Sequence, residues 1–154
     1  ALQFLLTTEL VDKSKLILAG NSMGAHVAVR LAELNNQLFG LILSCPAAYS
    51  FEAESKQLND EFTKIIRREN SWIDSPVFTI LENFGGKIMI NFGEFDTVIP
   101  EGVKNKLKEI CQHKSGQFII LKDATHFLLK PKNQLEEFAR QKLFTESVKF
   151  INNV

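Results

Sequence analysis

The chain has 154 residues, 45% hydrophobic and 23% charged, with eighteen basic side chains balancing eighteen acidic ones. That length suits one domain and buries enough surface to fold without disulfide or metal staples. Zero formal charge removes the electrostatic drive towards phosphate backbones, so no nucleic-acid partner is expected. No apolar run reaches the ~18–20 residues that span a bilayer. The two cysteines, Cys45 and Cys111, are too few for a disulfide framework and lack metal-ligand spacing. The opening Ala1–Leu6 has no basic region of the kind that starts a signal peptide. These features describe a soluble, cytoplasmic domain from a reducing compartment, with no metal expected.

Strand-length apolar runs alternate with helix-period segments, the pattern of βαβ units and a parallel sheet. The first residues read as a helix ending near Asp12-Lys13. Lys15 to Ala19 reads as a short strand covered on both faces. A helix follows from Met23 to Leu34, with Val27, Leu31 and Leu34 on one face, stopped by Asn35-Asn36. Leu41 to Ser44 is a second buried strand. Residues 46–86 interrupt the alternation and read as a short helical lid within the domain. Asn59 caps a helix with Phe62, Ile65 and Ile66 as its apolar stripe. A further helix runs from about Ser75 to Phe84, with Pro76 in its first turn and Gly85-Gly86 beyond its end. Lys87 to Phe92 is the third strand. Pro100 opens a helix that carries Val103, Leu107, Ile110 and Cys111 on one side, and Gln117 to Leu121 is the fourth strand. Asn133 to Asn152 closes the chain as one or two helices, with Leu135, Phe138, Phe144, Val148 and Ile151 as the expected buried set.

The chemistry concentrates where the first strand meets the second helix. Gly20-Asn21-Ser22-Met23-Gly24 is G-x-S-x-G set between a buried strand and an amphipathic helix. A strand that turns this sharply strains the central Ser, and the flanking glycines remove side chains expected to clash. The Ser22 hydroxyl then stands clear at the sheet edge, with the free Met23 N–H at the helix N-terminus suited to a developing oxyanion.

Such a serine needs a base, and the base an orienting acid. His26 lies four residues into the helix and reads as structural; His113 reads as a solvated turn residue. His126, in Asp123-Ala124-Thr125-His126-Phe127 after the fourth strand, sits on the same sheet edge as Ser22 and is the expected base. Asp96, in a turn pinned by Pro100, is the favoured acid, with Glu94 and Asp123 as alternatives. Phe51, Trp72, Ile73 and Phe78 in the lid region are candidates for an acyl-binding wall, against the plainer reading of ordinary core contacts. Cys45, at the end of the second strand, reads as a small buried thiol.

The G-N-S-M-G-A elbow, the G-E-F-D-T-V-I-P turn and the A-T-H-F loop together resemble the α/β-hydrolase superfamily, from Lys15 to the C-terminus. The resemblance implies a parallel sheet flanked by helices, Ser22 as nucleophile, Asp96 as acid, His126 as base and Met23 N–H as half of an oxyanion hole. It implies hydrolysis of a small-molecule ester or acyl substrate without a cofactor. A carboxylic ester is the first expectation. Thioester, amide or carbon–carbon bond cleavage by the same triad is the second, and a non-catalytic binding domain of this fold the third. The family places further strands and an oxyanion loop ahead of the elbow strand. Here about fourteen residues precede it, so residues 1–154 are expected to form the C-terminal part of a single hydrolase domain.

Overall fold

A computed structural model describes residues 2–9, 11–35 and 37–153. Four strands, β1 (Ile17–Asn21), β2 (Gly40–Ser44), β3 (Lys87–Gly93) and β4 (Gln117–Leu121), form one sheet in the order β1-β2-β3-β4. All three pairings are parallel. Among the helices, α1 (Leu2–Thr7) precedes the sheet and α2 (Met23–Glu33) joins β1 to β2. The β2–β3 connection carries α3 (Phe51–Glu54), α4 (Asp60–Ile66) and α5 (Pro76–Asn83). The helix α6 (Glu101–His113) joins β3 to β4, and α7 (Gln134–Asn152) closes the chain.

The two faces of the sheet follow from alternation. A Cβ on Gly20 would meet Gly24 and Ala25 of α2, whereas one on Gly40 would meet the Phe150 ring of α7. Gly20 pairs with Leu43 and Ile17 with Gly40, so Leu41 and Leu43 face α2, while Gly40, Ile42 and Ser44 face α7. Helices α2, α5 and α6 form one layer, as expected when consecutive right-handed crossovers all step the same way. The core lies between that layer and the sheet, around Val29, Leu41, Leu43, Leu81, Ile88, Ile90, Phe92 and Leu107.

Several boundaries depart from the sequence expectation. Helix α1 ends at Thr7, well before Asp12. Strand β1 begins at Ile17 because Lys15 is taken into a 3-10 turn, beside the Ser14 N–H bond to Asp12 Oδ1; it then runs on through Gly20 and Asn21 to pair with Leu43 and Ser44. The 46–86 segment divides in two. Helices α3 and α4 hold their own small cluster of Ala53, Phe62 and Ile65. The α5 helix instead buries Val77, Phe78 and Leu81 in the main core as the β2–β3 crossover, so it is no part of a lid.

Two helices turn a different face inward from the expected one. The α2 helix buries Ala25, Ala28, Val29 and Ala32 and leaves Val27 and Leu34 exposed. Its small residues permit the close approach to β1 that Gly20 completes, so bulk rather than hydrophobicity selects the buried stripe. The α7 helix buries Glu136, Ala139, Leu143 and Phe150, while all five residues of the expected set, Leu135, Phe138, Phe144, Val148 and Ile151, stay exposed. By contrast α6 buries the four residues its spacing indicates, and Asn59 caps α4 through the N–H groups of Glu61 and Phe62.

Candidate active site

The turn from β1 into α2 holds Ser22 at φ 52° and ψ −117°, a left-handed conformation that costs a non-glycine residue of order 1–3 kcal/mol. Neighbours hold it there. Ser22 N–H donates to Ser44 O at 2.9 Å, and Ala25 N–H and Ala47 N–H both donate to Ser22 O. Gly20 is the glycine the turn requires, since its Cβ would lie 2.3 Å from Gly24 O. The expectation for Gly24 is not met: among the described residues, nothing outside its own helix and chain neighbours lies within 4 Å of the position its Cβ would take. Met23 opens α2, where first-turn N–H groups have no intrahelical acceptor.

The β3–α6 turn places Asp96. Its Oδ1 accepts from Val98 N–H at 2.9 Å and Ile99 N–H at 3.1 Å, and its backbone oxygen accepts from Lys104 Nζ. The loop after β4 is fastened to this turn by Glu94 N–H to Leu121 O and Phe95 N–H to Ala124 O. Gly93 makes the approach possible, because a Cβ there would sit 2.3 Å from Thr125 O. The result is a continuous chain across the sheet edge: Ser22 Oγ lies 3.0 Å from His126 Nε2, and His126 Nδ1 lies 2.9 Å from Asp96 Oδ2. Asp96 and His126 are buried, at 2% and 7% exposure.

The other acids stand apart from that chain. Exposed Glu94 accepts from Asp123 N–H at 3.0 Å, a bond between the two that fastens the loop. Burial works against the Asp96 carboxylate, but hydrogen bonds from His126, Ile99, Cys45 and Val98 outweigh it and hold the carboxyl below its ordinary value. Cys45 is fully buried at φ 44°, and its thiol shares one small cluster with the Asp96 and His126 ligand atoms. Burial first, then the adjacent Asp96 charge, pushes that thiol far above its usual range, opposite to the lowering that makes a thiol reactive. His113 is exposed.

His26, which reads as structural in the sequence, is buried. Its Nε2 lies 2.8 Å from Glu54 Oε1 on α3, its Nδ1 accepts from Tyr49 N–H, and the Tyr49 ring packs 4.9 Å from its own. Arg30 Nε also reaches Glu54. The α3 segment is thereby tied to the helix that follows Ser22.

A cavity of about 120 Å³ opens beside Ser22, walled by Ala47, Tyr49, Trp72, Val98, Ile99 and Val103 among others. Trp72 is thus at the candidate site. Phe51 and Phe78 line a separate cleft with Ile73, although Phe78 braces Trp72 edge-on at 6.0 Å. A larger hollow of about 350 Å³, lined by Met23, Val27, Leu34, Leu58 and Phe62, lies along α2 and does not include Ser22.

No known family model matches the chain, and no curated protein matches it. Solved structures do. The chain is similar to a thermophilic esterase from Thermogutta terrifontis, solved with butyrate bound, at 15% identity and TM-score 0.64, over 93% of this chain and 58% of that one. It is similar to P91, a dienelactone hydrolase-like promiscuous phosphotriesterase from metagenomic libraries, at 12% identity and TM-score 0.67, over 99% and 57%. A puromycin-hydrolyzing peptidase from Mycobacterium tuberculosis matches at 12% identity and TM-score 0.70, over 99% of this chain and 24% of that one. The chain therefore spans less than two thirds of the length of these proteins. With four parallel strands flanked by helices, it has the α/β-hydrolase fold over part of that domain.

Proposed function

We propose that the chain carries the catalytic centre of a serine hydrolase acting on a small uncharged carboxylic ester. The reading rests on the Ser22–His126–Asp96 hydrogen-bond chain, with links of 3.0 and 2.9 Å within the reach that proton transfer needs. Ser22 Oγ adds to the ester carbonyl as its proton passes to His126 Nε2, and the negative charge gathers on the carbonyl oxygen near Met23 N–H. The carbon–oxygen bond to the alcohol then breaks, and His126 returns the proton to the departing oxygen. Water repeats the sequence against the acyl-enzyme and releases the acid. Asp96 holds the Nδ1–H tautomer throughout and stabilises the imidazolium. Similarity to an esterase solved with butyrate supports the ester as first substrate.

The test is labelling by a fluorophosphonate probe together with turnover of p-nitrophenyl esters, thioesters and anilides. Ser22→Ala should abolish labelling and leave at most ~10³–10⁴-fold acceleration over water. Turnover of thioesters or anilides in preference to esters would replace the ester with that bond. Failure of Ser22 to label and of any substrate to turn over would leave a binding domain of this fold.

A further inference from the structure

The cavity beside Ser22 carries information on the substrate that the triad does not. Its walls carry uncharged side chains: Ala47, Ala48, Tyr49, Ile66, Val98 and Ile99 contribute, and among the described residues no Lys, Arg, Asp or Glu does. His126 is also outside the lining. Since His126 must reach the departing alcohol oxygen to protonate it, the leaving group lies on the His126 side of the carbonyl. The cavity then faces the other substituent of that carbonyl, which is the acyl chain.

Trp72 is the largest side chain in the cavity wall. The indole sits against Gly102 at the start of α6, so closely that a Cβ on Gly102 would lie 2.2 Å from Trp72 Cζ2 and 2.7 Å from Cη2. Phe78 meets the ring edge-on from α5, and Trp72 O accepts from Ser75 N–H, the residue that caps α5. The ring is therefore clamped between two helices of the core layer. An apolar protein cavity of roughly 150 Å³ takes one benzene, six carbons. By that measure about 120 Å³ takes about four or five.

Resting on the serine-hydrolase reading above, we propose that the enzyme is selective for short, uncharged acyl groups of up to about five carbons, and that Trp72, seated on Gly102, sets the limit. Longer chains have to displace a large ring packed against Gly102 and Phe78. Charged acyl chains meet no counter-ion.

The experiment uses the full chain and two readouts of one ratio. The first is kcat/KM for p-nitrophenyl acetate, butyrate, hexanoate and octanoate. The second is competition by ethyl- to octylboronic acids against fluorophosphonate labelling of Ser22, which needs no turnover. Because each variant is compared with itself across chain lengths, partial misfolding cancels. The unaltered protein should favour butyrate over octanoate by at least tenfold. Trp72→Ala should reduce that preference tenfold or reverse it, and Gly102→Ala should lower butyrate relative to acetate by pushing the indole into the cavity. A flat chain-length profile, or one that Trp72→Ala leaves unchanged, overturns the short-acyl inference while Ser22 labelling keeps the hydrolase reading intact. Absence of labelling altogether overturns both.

Discussion

Asp96 and Glu94 stand two residues apart in one turn, and their surroundings assign them different work. Asp96 is buried, accepts two backbone N–H bonds on one oxygen and faces His126 with the other. Glu94 is exposed and bonds to the Asp123 backbone. Asp96→Ala should therefore lower kcat by on the order of 10⁴, as loss of the tautomer-fixing acid does elsewhere, whereas Glu94→Ala should stay within a few-fold of the parent. Steady-state kinetics with a short ester decide it, and a dead Glu94→Ala beside an active Asp96→Ala would reverse the assignment. His26 gives a second residue-scale expectation, in stability. Burial lowers its pKa, against the opposing pull of Glu54. The unfolded chain then takes up the proton first as pH falls below ~6.5. The stabilisation is thus complete above that pH and is lost as pH drops through the lower folded value. Thermal midpoints between pH 7.5 and 5 should fall more steeply for the parent than for His26→Gln, and parallel curves would show that His26 does not carry the effect.

At the scale of elements, local signals read well where one residue decides the outcome. Asn59, read as a cap, caps α4 through its side chain, and Ser75 and Asn133, read only as the starts of helices, cap α5 and α7 in the same way. Asn133→Ala should cost α7 about 0.5–2 kcal/mol, read as a lower denaturation midpoint. Strand β4 occupies Gln117–Leu121, as its apolar run indicates. The three loops that carry Ser22, Asp96 and His126 were legible because each follows a strand and the strands are parallel, so their C-terminal ends share one edge. What spacing could not supply was which side of a helix a neighbour would occupy. Both α2 and α7 carry more apolar residues than one face can bury, and packing distance made the choice. The elbow glycines show the same limit: the sequence pattern treats them alike, while only Gly20 is pressed against another backbone. Gly20→Ala should destabilise by roughly 1–3 kcal/mol or more, as overpacking does. Gly24→Ala, within the first turn of α2, should be neutral or stabilising. Equal midpoints for the two variants would contradict the close approach.

Residues 1–154 together present more apolar surface than their even charge suggests. Phe144, Val148 and Ile151 lie together along α7, and Leu135 and Phe138 flank its buried stripe on the other side, each of the five about half exposed. Strand β1 is an edge strand of the described sheet, and Ala19 on its α7-facing side is open to solvent. Val27 and Leu34 add a further apolar strip along the outer side of α2. Contiguous patches of this kind and unprotected strand edges both promote association in water. Sequence reading expected residues 1–154 to be one part of a larger domain, with about fourteen residues ahead of the first strand. It missed the α7 surface, because a helix rich in Phe and Leu reads as buried whichever way it turns. In isolation, residues 1–154 should therefore bind a dye such as ANS strongly and self-associate at micromolar concentration. Replacing Phe144, Val148 and Ile151 together by Glu, Lys and Glu should reduce both effects with little change in the thermal midpoint, since none of the three is in the buried core. A monodisperse monomer by analytical ultracentrifugation, with no dye binding before the substitutions, would show that this surface is not adhesive.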